Sequence, residues 1–67
     1  MMSSADRTFL RKVWWDAVRT GRKTDSDVVL IEEALTLDAI GLLTPEEEIA
    51  AMRAAGRYFG RGAGLVP

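Results

Sequence analysis

The stretch TDSDVVLIEEALTLDAIGLLTPEE, residues 24 to 47, decides the fold. Within it Val28, Val29, Leu30, Ile31, Ala34, Leu35, Leu37, Ala39 and Ile40 are apolar nearly all the way round a helical wheel, the pattern of a central, buried helix. The β-branched residues Val28, Val29 and Ile31 would also suit a short strand. A lone strand has nothing to pair with, however, and the chain offers no second strand-like run. The spacing therefore predicts a helix over about 25–41, with an interruption weighed near Thr36 to Asp38.

The two ends of this stretch carry the punctuation. Thr24 is the expected N-cap, with acids following in the first turn. Gly41 suits a left-handed C-cap, after which Leu42 and Leu43 can fold back over the helix end. Thr44-Pro45-Glu46-Glu47 is the sharpest local signal in the chain. Thr44 caps, Pro45 needs no N–H at the first helical position, and Glu47 stands where a capping box requires an acid.

Working outward, the preceding helix spans about 4–20, capped by Ser3 or Ser4 and ended by Gly21. Phe9, Leu10, Val13, Trp14, Ala17 and Val18 form its apolar face. The following helix spans about 45–59 and is expected to bury Ile49, Met52, Ala55, Gly56 and Phe59. Residues 60–67 contain Gly60, Gly62 and Gly64 and read as a flexible tail. The expected architecture is thus all-α: one small three-helix domain, residues 1–59, followed by that tail.

A chain of 67 residues buries only about 60% of its unfolded surface, so its core is marginal and association would help it. With no Cys and no His, the usual ligands of zinc, haem and iron–sulfur clusters are missing, and neither a metal nor another cofactor is expected. Met1 to Asp6 shows no basic segment followed by an apolar one, which points to the cytoplasm. The longest apolar stretch, Val28 to Leu43, is interrupted by acids and falls short of the roughly 20 residues a membrane span needs.

The net charge of −1 conceals three blocks: residues 1–25 carry +3, residues 26–50 carry −7 and residues 51–67 carry +3. The basic ends can attract anionic partners, or the blocks can fold against one another.

Enzyme chemistry is hard to assemble from this inventory. Ser3, Ser4 and Ser26 occupy cap or terminal positions, and no hydroxyl stands beside a base. Glu32-Glu33 and Glu46-Glu47-Glu48 diverge by about 100° per residue on a helix, which reads as a solvated face. Asp25-Ser26-Asp27 matches the opening of a calcium loop but lacks its glycine and terminal glutamate. The Gly60, Gly62, Gly64 run follows a helix, whereas a phosphate cradle must precede one. The chain is therefore read as a non-enzyme with no small-molecule substrate.

Trp15 is the most informative residue. It lies off the apolar arc of the first helix, on a stripe with Thr8, Arg11, Lys12, Arg19 and Arg22. A tryptophan ringed by arginines has the composition of an interface hot spot, although Trp15 could instead widen the core face. The candidate partner-binding set is therefore Arg11, Lys12, Trp15, Arg19 and Arg22. Arg53, Arg57 and Arg61, at i, i+4 and i+8 on the third helix, would extend it, or would simply complement the helix dipole.

The reading that best accounts for these features is a small protein-interaction module (an adaptor, regulator or assembly subunit) whose partner is another protein or a second copy of itself. Nucleic-acid binding through the basic faces of the first and third helices is the alternative. It faces the objection that the second and third helices both open with acids.

Overall fold

The computed structural model describes residues 2–60, and these form three helices in sequence: α1, Ser4–Arg19; α2, Ser26–Ala39; and α3, Pro45–Gly60. The glycine-rich tail expected after the third helix, and Arg61 within it, lie outside the described residues.

Each boundary has a local cause. The Ser3 hydroxyl accepts from the Asp6 N–H at 3.1 Å and caps α1. At its other end Gly21 adopts φ +76° and Arg22 donates its N–H to the Ala17 carbonyl at 2.7 Å, closing a Schellman turn. The same turn ends α2: Gly41 has φ +77° and the Leu42 N–H bonds the Leu37 carbonyl at 2.8 Å. At α3 the capping box is complete, since the Thr44 hydroxyl accepts from the Glu47 N–H at 3.2 Å while Glu47 accepts from the Thr44 N–H at 2.9 Å. These bonds from the Thr44 N–H and hydroxyl hold the Glu47 carboxyl below its ordinary pKa.

The N-cap of α2 is Asp25 and not Thr24. Asp25 accepts from the Asp27 N–H at 2.9 Å, and its carbonyl receives the first helical bond from Val29. The turn after Gly21, which pairs the Asp25 N–H with the Arg22 carbonyl, brings a carboxylate to the positive helix end in place of the threonine hydroxyl. The interruption weighed near Thr36 is absent, and α2 is continuous through Ala39. The Thr36 hydroxyl is satisfied by the Glu32 carbonyl one turn back.

The core consists of Leu10, Val13 and Ala17 from α1, Val28, Ile31 and Ala34 from α2, and Ala51, Ala54, Ala55 and Tyr58 from α3, with Met2 closing one end. α3 is rotated from the face expected of it: Ile49 is 52% exposed and Gly56 is exposed, whereas Tyr58 is fully buried. Its inner face is the small-residue row Ala51, Ala54, Ala55, which allows α3 to come close to α2, its main neighbour. α2 is only half enclosed. Leu43 folds back onto the core as expected, but Val29, Leu30, Ile40 and Leu42 remain exposed, because two neighbouring helices cannot cover a helix that is apolar all round.

Two ion pairs set the helices antiparallel. Arg7, at the start of α1, donates through Nε to Asp38 Oδ2 at 2.6 Å near the end of α2, and its Nη2 also bonds the Met2 carbonyl at 3.1 Å. Arg57, near the end of α3, donates to Asp27 at the start of α2 at 2.9 Å. The hydrogen bond from Arg7 holds the Asp38 carboxyl below its ordinary 3.8, against the opposing effect of burial. The Arg7 guanidinium is correspondingly raised by that bond and by the charge of Asp38.

Because Tyr58 and not Ile49 faces inward, Tyr58→Ala should cost about 3–5 kcal/mol in urea unfolding and Ile49→Ala within about 0.5 kcal/mol; equal losses would refute this rotation of α3. No atom lies within 4 Å of a Cβ added at Gly41, so Gly41→Ala tests backbone conformation alone. It should cost about 1 kcal/mol, read as a lowered urea midpoint. A depressed carboxyl pKa contributes stability that is complete above its ordinary value and is lost as pH falls through the folded-state value. Asp38→Asn should therefore be less stable than the unsubstituted chain at neutral pH, with the gap in melting temperature narrowing on acidification below the ordinary carboxylate range.

Candidate functional site

Trp15 is 57% exposed, on the side of α1 away from Leu10, Val13 and Ala17. Helical rotation of 100° per residue leaves no other placement once those three face inward. Its ring meets Trp14 edge-on, with centroids 4.9 Å apart and planes at 75°. Trp14 is half-buried and packs against the core, so one tryptophan anchors the other at the surface.

This pair forms one wall of a groove of about 430 Å³ between α1 and α2. Arg11, Trp14 and Trp15 stand on the α1 side, and Glu32, Leu35, Thr36, Ala39 and Ile40 on the α2 side. Ile40 is 62% exposed, so the apolar surface continues past the groove edge. The residue inventory missed this second wall, since α2 was read as wholly buried. A helix apolar on all sides with only two neighbours must leave one side open, and that was the available signal.

The candidate residues do not all converge. Arg11 and Trp15 share the groove. Arg19, although exposed, donates to Asp16 Oδ1 at 3.1 Å, and this bond serves a carboxylate that is itself buried. Lys12 lines a separate hollow with Phe9, Val13 and Phe59, where the two phenylalanine rings stack at 5.6 Å. Arg22 is exposed in the turn after Gly21. On α3, Arg53 is exposed while Arg57 is bound to Asp27.

Chemically the groove offers apolar area, an indole face, one guanidinium and one carboxylate. Among the described residues no group of three or more His, Cys, Asp or Glu is placed to hold a metal ion. Among them, too, no helix is long and apolar enough to cross a membrane. Comparison with known protein families, with curated proteins and with solved structures found no match to this chain.

Proposed function

We propose that this protein is a small non-catalytic interaction module of the cytoplasm, an adaptor, regulator or assembly subunit, which docks a protein partner in the α1–α2 groove. The observation that carries this reading is Trp15: a large aromatic side chain held mostly in water, in the same groove as Arg11 and an exposed Ile40. Tryptophan and arginine are enriched where interfaces draw most of their energy, and a tryptophan fixed on a rigid helix loses little freedom on binding. The exposed Val29, which lines an adjoining hollow with the groove residues Glu32 and Thr36, enlarges the apolar surface that a partner would remove from water.

Nucleic-acid binding has less support. Arg19 and Arg57 are engaged with aspartates, which leaves Arg11 on the groove wall, Lys12 in a separate hollow, Arg22 and Lys23 in the turn after α1 and Arg53 on α3.

Trp15→Ala is expected to leave the melting temperature within a few degrees of the unsubstituted chain and to abolish retention of the partner on the immobilised protein. Trp14→Ala, which removes a side chain packed on the core, should cost about 3–5 kcal/mol. If Trp15→Ala unfolds the protein as severely as Trp14→Ala, or leaves the retained partner unchanged, the docking role is refuted.

A further inference from the structure

The groove has a charge pattern that selects its occupant. Its α1 wall is basic and aromatic, with Arg11 and Trp15, and its α2 wall is acidic and aliphatic, with Glu32, Leu35 and Ile40. Among the described residues the side chains of Arg11 and Glu32 have no hydrogen-bond or ion-pair partner, although they line the same groove. The remaining lining residues are apolar except Thr36, whose hydroxyl already bonds the Glu32 carbonyl. A partner must therefore set acid against α1 and base against α2, at matched heights along the helices.

A second copy of this chain meets that requirement by symmetry. A two-fold axis running along the groove, parallel to α1 and α2, turns one copy face to face with the other. It exchanges the two walls while keeping each residue at its height. α1 of each copy then lies over α2 of the other, so the wall carrying Arg11 and Trp15 faces the other copy's wall of Glu32, Leu35 and Ile40, with Arg11 close in height to Glu32 in the register that Arg7 and Asp38 set, and the reverse. The contact is isologous, so each favourable pair occurs twice. A two-fold axis across the groove would instead set α1 on α1 and bring like charges together. We propose that the groove is the interface of a homodimer with the axis along the groove, an assignment that rests on the reading of this groove as a docking site.

Two further quantities agree. The chain exposes 4305 Å², so the roughly 800 Å² that each partner gives to a standard interface is about a fifth of its surface, within the reach of one helix-pair face. The net charge of −1 sets up almost no repulsion between copies. Dimerisation also buries Ile40, which is left 62% exposed at the groove.

The test is sedimentation equilibrium of the full chain with three variants, each checked for unchanged helicity by circular dichroism. The unsubstituted chain should be dimeric at about 100 μM, a concentration well above a micromolar Kd. Arg11→Glu and Glu32→Arg should each weaken the dimer by about tenfold or more, which corresponds to removing one favourable charge contact in each half of the interface. The double variant R11E/E32R restores opposite charges across the axis and should recover most of the affinity. Rescue by the double variant is the readout that a general loss of stability would not give. A folded chain that stays monomeric at that concentration, single variants without effect, or a double variant no better than the singles would each overturn the homodimer. If the chain is monomeric yet loses a different protein partner on Trp15→Ala, the homodimer fails and the docking site stands. If it is monomeric and Trp15→Ala changes no binding, both fail.

Discussion

Asp38 places a negative charge in the last turn of α2, where the backbone dipole already presents its negative end and no basic residue of that helix offsets it. Arg7 of α1 supplies the missing positive charge at 2.6 Å. At the other end of α2, Asp27 stands in the first turn, where the dipole favours it, and it takes Arg57 from the last turn of α3. α2 is thus held at each end by an arginine from a different helix. In a core built largely from alanines and five fully buried larger side chains, these end clamps choose the pairing that non-directional apolar contacts leave loose. One arginine from each basic block and two aspartates from the acidic block are thus spent on the chain's own architecture.

The clamps also position the groove. With Arg7 pinned to Asp38, α1 lies antiparallel along α2, and the groove between them is lined by Trp14 and Trp15 on one side and by Leu35, Ala39 and Ile40 on the other. Trp14 turns inward and supports the indole of Trp15 edge-on. The buried Asp16 draws Arg19 back onto α1, which leaves Arg11 as the cation on the groove wall. A surface built in this way is rigid before any partner arrives, which limits the ordering cost of binding.

Much of the fold was legible in the residues. The Thr44–Glu47 capping box, the glycines at the ends of α1 and α2, and the inward face Leu10, Val13, Ala17 all follow from local rules. Those rules act through hydrogen bonds and backbone torsions within a few residues, so the surroundings scarcely alter them. The exposure of Trp15 was legible for the same reason, since helical rotation sets it opposite the inward face. The rotation of α3 was not. Ala55 is buried as expected and Met52 and Phe59 pack half-buried against the core, but although Ile49 outweighs alanine on any hydrophobicity count, close helix packing favoured the Ala51, Ala54, Ala55 row and drew in Tyr58 beside it. The cap of α2 was misplaced by one residue because the turn geometry after Gly21 depends on a bond from Asp25 back to Arg22.

By itself, then, the sequence determined three helices, all their caps but the start of the second, and an aromatic–basic stripe on the first, because each rests on interactions that reach no further than one or two turns. Only the tertiary structure decided which arginines are occupied and which is left on a groove wall. Arg7 and Arg57 are consumed by carboxylates about thirty residues away in the chain, a pairing that no local pattern encodes. Arg11 remains because no acid of α2 reaches it, and the half-covered second helix becomes the opposite wall because a three-helix arrangement has no fourth element to close it.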